Sequence, residues 1–454
     1  MQTERTLARF VHELSFDSVP QAARRLVKDL LLATSGTAIA GAGEDGIEAL
    51  RELLRERGGR AEATVLVYGD RLPATSAALL NGTLCRALDY CDAMAPGMHI
   101  GSSLLAAAFA AAELRGGCSG REFIAALAAG TEVSSRLNLT EAMYDGHDPT
   151  GITAGFAAAA AAARLLNLDE TQTHHALALV FNRCGGSFQS MVDGALSVRL
   201  TQGWVAETGV ACAQYAQRGL TGPVNFIDGI YGYRHLYGRD QLESAPIVAG
   251  LGEDWRLHAV VFKRYPSCGV TQGATALTLG LVDELALSAD RVRAIEVRLP
   301  PYAHRLVGHP FKIGTNPRVD AQFSAQYCVA NAIVRGSSKL DHFRPESVAD
   351  AAVHRLIERI SVVADEAMNA RGHAAVDLAV TTVDGAVHRR GLDIPPGFPG
   401  NGLSEREHRA RFDDCIDYAR IRLAPGKVSQ WLESLEQLEG CDDVRSLIPL
   451  LVAG

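Results

Sequence analysis

Residues 151–166 read GITAGFAAAAAAARLL, and residues 104–114 read LLAAAFAAAEL. Alanine favours the α-helix because it gives up no side-chain entropy on becoming helical. Small side chains also let helix axes approach closely, so Gly101–Leu114 and Gly155–Leu166 are predicted to be the packed centre of a helical bundle. Both stretches fall short of the ~20 strongly apolar residues needed to cross a bilayer, which makes them buried helices and argues against a membrane partner.

Outward from that centre the same period continues. LARFVHEL (7–14), AARRLVKDLLLAT (22–34), SAALLNGTLCRAL (76–88) and GREFIAALAAGTEVSSRL (120–137) repeat apolar residues at helical spacing, and Thr3 to about Gly280 reads as mostly helical. Ser119 and Asp169 stand where N-caps belong. After about Tyr265 the pattern changes. RVRAIEVRLP (291–300), AAVDLAVTTVDG (374–385) and AVHRRGLDI (386–394) alternate apolar and polar residues and predict strands, with helical SAQYCVANAIVRG (324–336) and DAAVHRLIERISVVAD (350–365) between them. PPGFPGNG (395–402) breaks regular structure. The tail from Ser404 returns to helical period, with Ser404 and Glu407 at capping-box spacing. The expectation is an α+β protein: a helical domain over 1–265, an α+β domain over 266–397, and C-terminal helices over 398–454 that rejoin the first.

The chain has 454 residues, 47% hydrophobic and 21% charged, a composition of folded domains rather than of disorder. A formal charge of −8 gives no electrostatic reason to expect nucleic acid or an anionic membrane as partner. An acidic substrate therefore needs local basic residues. The nine cysteines form no CxxC pair or zinc-like spacing, so neither a disulfide framework nor a metal site is expected. MQTERTLARFVHELSF carries charges where an export signal needs an apolar core, and the cytoplasm is the expected compartment.

Four segments carry candidate chemistry. ALDYCDAMAPGMH (87–99) puts Asp89, Asp92 and His99 on one short turn between helices, where carboxylates and an imidazole can serve as base, acid or substrate orienter. The competing reading is that the aspartates cap helices or meet solvent. In YDGHDPTGI (144–152), His147 precedes the most alanine-rich helix, whose N-terminus favours a neutral imidazole or a bound carboxylate; a plain surface turn fits equally well. In VVFKRYPSCGVTQGA (260–274), Lys263 is a point-charge donor for a substrate carboxylate, with Tyr265 close by, while Lys263 and Arg264 as a solvated basic pair is the alternative. Cys268 reads better as a structural thiol than as a nucleophile. In DGALSVRLTQGWVAETGV (193–210), Arg199 is either a bidentate carboxylate ligand or half of a surface salt bridge. Tyr302 and His304 follow a predicted strand, and His174 and His175 lie in a helix without an evident role.

Taken in order, TLARFVHEL, SAALLNGTLCRALDYCDAM with His99, GHDPTGITAGFAAAAAAARLLNL, RLTQGWVAETGV, FKRYPSC, DAQFSAQYCVA and PPGFPGNGLSEREHRARF resemble the MmgE/PrpD superfamily, which includes 2-methylcitrate dehydratase, cis-aconitate decarboxylase and iminodisuccinate epimerase. The resemblance implies a large helical domain from both chain ends, a smaller α+β domain, a homodimer, a pocket between the domains, and catalysis without cofactor or metal. It places Asp89, His99, His147 and Lys263 at positions of the family's active-site acid, histidines and lysine; Asp92, Arg199, Tyr265, Cys268 and Tyr302 are the substrate-binding residues expected beside them. The sequence departs from the family at Cys91 and Ala93, where an Asp and a Thr are common, at Val198, where a lysine often stands, and at Cys268, where decarboxylase-like members carry a histidine. The implied chemistry is proton abstraction beside a carboxylate of a small polycarboxylic acid, with loss of water as in 2-methylcitrate dehydratase. An epimerase of a small dicarboxylate and a non-catalytic ligand-binding relative are the alternatives.

Overall fold

The computed structural model describes residues 2–454. The chain forms two compact units, one from the residues up to Val260 together with Ala419–Gly454, the other Val261–Tyr418.

The first unit is helical. Its framework is α1 (Gln2–Glu13), α2 (Gln21–Gly41), α3 (Ala74–Arg86), α4 (Gly101–Arg115), α5 (Gly120–Leu137), α6 (Pro149–Leu165), α7 (Glu170–Phe181) and α8 (Ser197–Gln217). The alanine-rich helices α4 and α6 are at the centre, as the sequence predicts: every residue from Gly101 to Ala112 and from Pro149 to Ala163 is buried. Helix α8 packs on α3, α4, α6 and α7. That closeness needs glycine. A Cβ on Gly209 would lie 2.4 Å from the Ala158 Cβ, and one on Gly203 would lie 2.4 Å from the Leu79 carbonyl oxygen, distances no side chain tolerates without moving a helix.

The predicted caps form. Ser119 and Glu122 close a reciprocal capping box at the start of α5, Asp169 and Gln172 do so for α7, and Ser404 and Glu407 exchange the same pair of bonds. The C-terminal helix in this unit, Pro425–Glu436, rests on α2, where the buried Trp431 Nε1 donates to Ser35 Oγ at 3.0 Å.

The stretch from Gly219 to Val260 is not the regular helix expected. It holds only short helical turns, Tyr233–Leu236, Ser244–Val248 and Arg256–Ala259, joined by bends and turns. A buried guanidinium replaces the missing backbone pairing: Arg136, ion-paired to Glu132 at 2.6 Å, donates to the carbonyls of Ile247, Ala249, Gly250 and Asp254, and Glu132 accepts from the Leu257 amide. Each peptide group that lacks a helical partner is expensive to bury unpaired, so one Arg–Glu pair fixes an irregular segment.

The second unit is built on a four-stranded sheet of β1 (Val292–Leu299), β2 (Ile360–Ala364), β3 (Val376–Thr382) and β4 (Val387–Leu392), in spatial order β2–β1–β3–β4, with β1–β2 parallel and the other pairs antiparallel. Ile295, Val297, Leu299, Val376, Leu378 and Val380 alternate inward and form the core with helices α9 (Gln272–Leu285) and α10 (Ala325–Arg335). Strand β2 lies in a segment read as helical. The helix there stops at Ile357, and the β-branched run that follows pairs with β1 instead. Helix α11 (Glu405–Tyr418) belongs to this second unit, whereas the sequence reading had placed everything after residue 397 with the helical part. Among the described residues, no helix is long and apolar enough to cross a membrane.

Candidate active site

The turn between α3 and α4 is where the first unit concentrates chemistry. Asp89 adopts a left-handed backbone, φ +52, which aspartate tolerates better than most residues and which turns the chain sharply after α3. The peptide Ala95–Pro96 is cis. Met94 and Met98 bond to each other's backbone across the loop and bring His99 back beside the end of α3.

Four polar side chains meet there. Arg86, on the last turn of α3 and 4% exposed, forms an ion pair with Asp89, and its Nη2 lies 3.5 Å from His99 Nε2. Burial works against the guanidinium charge, but Asp89 and other nearby acidic groups outweigh it and hold Arg86 more firmly protonated than a free arginine. His99, 7% exposed, places Nδ1 2.5 Å from the Asp92 carbonyl oxygen and 3.5 Å from Cys91 Sγ. Its backbone is fixed on both sides: the amide donates to Thr150 Oγ1 at 3.1 Å, and the carbonyl accepts from Gln202 Nε2 at 2.9 Å. Helices α6 and α8 therefore both hold the histidine.

Asp92 is fully buried, and its two carboxylate oxygens accept the Ile100 and Gly101 amides at 2.9 Å each. These are otherwise unsatisfied amides at the start of α4, so Asp92 acts as that helix's cap, the competing reading of this residue.

Asp148 is a site feature that the sequence reading passed over. It caps α6, accepting from Thr150 N at 2.8 Å and Gly151 N at 3.4 Å. Burial raises its carboxyl above the usual aspartate range, against the pull of those amides and of Arg86. Arg86 is the other omission. Its position three residues before Asp89 is a helical ion-pair spacing. The Asp-Pro-Thr order at 148–150 is itself an N-terminal signature, with Pro at the first helical position.

The remaining candidates are divided between the two units. His147 is exposed, its ring edge-on to Tyr237 at 5.7 Å. Arg199 is buried on the first turn of α8 and donates to the Asp45 carbonyl at 2.7 Å. A cavity of about 330 Å³ beside the start of α6 is lined by Gly151, Gly155, Arg183, Thr201, Trp204 and Thr208 among others, and not by Asp89, His99 or His147. In the second unit, Lys263 is 2% exposed and its carbonyl accepts from Arg411 Nε at 2.8 Å. Tyr265 is buried, with the Arg264 guanidinium 5.5 Å from its ring, and burial raises its phenol. Cys268 is part of the apolar core. Tyr302 lies on a short helix, Pro301–Val307, near His373 and Arg305.

Residues 5–244 match the MmgE/PrpD N-terminal domain and residues 265–422 the MmgE/PrpD C-terminal domain. The chain belongs to the MmgE/PrpD family. Within it, this MmgE/PrpD protein is 26% identical to the cis-aconitate decarboxylase-like protein oryM of Aspergillus oryzae, over 98% of this chain and 96% of that one. It is 24% identical to human cis-aconitate decarboxylase, over 95% and 90% of the two chains, and 23% identical to the mouse enzyme, over 98% and 92%. The similarity extends through both units.

Proposed function

We propose that this protein is a cofactor-independent lyase that takes a proton from the carbon beside a carboxylate of a small polycarboxylic acid and eliminates water. The observation that carries the reading is the buried Arg86–Asp89–His99 cluster on a turn clamped by three helices. Proton abstraction from such a weakly acidic carbon needs a base kept in its proton-accepting form and donors for the charge that develops. Asp89 and His99 supply proton-transfer groups, His147 a further imidazole, and Lys263 the cation for a substrate carboxylate. In the dehydration, the base takes the proton, the electron pair becomes the double bond, and the β-hydroxyl leaves with a proton as water.

A second reading, decarboxylation, is favoured by the names of the relatives, which match over nearly the whole chain. There the carbon–carboxyl bond breaks, carbon dioxide leaves, and the carbanion-like carbon is protonated. Incubating the protein with 2-methylcitrate, citrate, cis-aconitate and aminodicarboxylates, followed by proton NMR and carbon dioxide trapping, separates the two. Water loss from a hydroxy acid supports the first reading, and carbon dioxide release from cis-aconitate supports the second. Isotope exchange without loss of a group indicates an epimerase, while tight binding without turnover indicates a ligand-binding relative and overturns the lyase reading.

We also propose a homodimer. Large apolar side chains stand exposed along one helix and the segment after it: Trp204 and Tyr215 on α8, then Leu220, Val224, Ile230 and Tyr231. Exposed apolar surface concentrated in this way is the usual mark of an association face.

A further inference from the structure

We infer that Arg86 is a positioning residue that holds His99 neutral as the Nδ1–H tautomer, with the Nε2 lone pair turned to the guanidinium. The argument rests on which groups can donate. A backbone carbonyl only accepts, so the 2.5 Å approach of His99 Nδ1 to the Asp92 carbonyl puts a hydrogen on Nδ1. A guanidinium only donates and has no lone pair, so the 3.5 Å approach of Arg86 Nη2 to His99 Nε2 calls for a bare nitrogen there. A proton on Nε2 would set one donor against another and a second positive charge against the first.

The charge beside Nε2 is lasting, because the Asp89 carboxylate paired to the same guanidinium outweighs the opposing effect of burial. The other groups around the ring come from every neighbouring segment. Cys91 and Asp92 face it from its own loop, with the Asp92 carboxylate committed to the start of α4. At the start of α6, Thr150 holds the His99 amide, and the Asp148 carboxylate couples to the Arg86 charge. From α8, Gln202 holds the His99 carbonyl and also accepts from the Ser103 amide. His99 therefore rests as a neutral imidazole, and Arg86 sets that state. Its catalytic meaning rests on the lyase reading; the tautomer does not.

The test is nitrogen NMR of the full chain, labelled at histidine and assigned with a His99→Asn variant, on the parent, Arg86→Gln and Arg86→Lys. The parent is expected to show His99 as a single neutral Nδ1–H tautomer at neutral pH. In Arg86→Gln the acid-side titration of His99 should move up by about one pH unit or more, since the cation is gone and Asp89 is released. Arg86→Lys, which keeps the charge, should restore most of the parent position, which a purely structural role would not require. A parent His99 protonated at Nε2, or a titration unchanged by Arg86→Gln in a protein with the parent's circular dichroism, overturns the inference. Absence of turnover with every acid, alongside the expected NMR behaviour, counts against the lyase reading and leaves the assignment of Arg86 standing.

Discussion

Replacing Asp92 by alanine separates a substrate ligand from a helix cap. The carboxylate is fully buried and accepts two backbone amides at 2.9 Å. A hydrogen bond to a charged group contributes about 1.5–3 kcal/mol, and loss of an N-cap costs roughly 0.5–2 kcal/mol. Part of the gross gain from the two bonds is offset by the desolvation of the carboxylate itself, so Asp92→Ala should destabilise the helical unit by about 2–4 kcal/mol. Asparagine keeps one acceptor but turns an amide donor toward the second N–H, and should cost about 1–2 kcal/mol. All three tryptophans, Trp204, Trp255 and Trp431, lie in the helical unit, so urea unfolding followed by tryptophan fluorescence reads that unit alone. A variant with the parent's urea midpoint and a KM raised tenfold or more would refute the cap assignment and return Asp92 to the substrate.

Further outcomes follow from other parts of the chain. Lys263→Gln should raise KM for the acid substrate by about tenfold to a hundredfold, the loss of one charge-assisted carboxylate bond, with the unfolding midpoint of the second unit as a control. Asp414 on α11 is pushed up to about 6 by burial, so the folded state holds its proton more tightly than the unfolded chain, and its contribution to stability is lost as pH rises from about 3.8 to 6. His342 is pushed down to about 4, chiefly by burial, so its contribution has the opposite sign and is lost as pH falls from about 6.5 to 4. Asp414→Asn should therefore make stability climb more steeply with pH in that window, and His342→Gln should make it climb less; pH-dependent urea midpoints check both signs. Trp204→Glu should convert a dimer to a monomer by light scattering, whereas an unchanged mass would place any association face elsewhere.

The helical bundle was legible because alanine runs and helical spacing are local, and the capping signals at Ser119, Asp169 and Ser404 all correspond to bonds in the structure. What failed depended on partners distant in sequence. Ile360–Ala364 becomes a strand because β1 offers it an edge, which nothing in the adjoining helix Ala351–Ile357 announces. Between Ile247 and Asp254 the chain can stay irregular because Arg136, more than a hundred residues away, supplies hydrogen bonds that a helix would have given. In the site, the turn carrying Asp89 and His99 was readable as a cluster, but the roles within it were not. Asp89 and Asp92 differ only in what surrounds them, and Arg86 is inconspicuous until the loop folds back and brings His99 Nε2 to it.

Solvent deuterium is the most direct probe of the chemistry. In deuterated water, the parent protein should place deuterium at the carbon beside a carboxylate of a tricarboxylic or dicarboxylic acid, seen as loss of that proton's NMR signal, and His99→Asn should abolish or slow this at least a hundredfold. Exchange that persists undiminished in both His99→Asn and Asp89→Asn, or none in the parent with any acid of the panel, would contradict proton abstraction at this site.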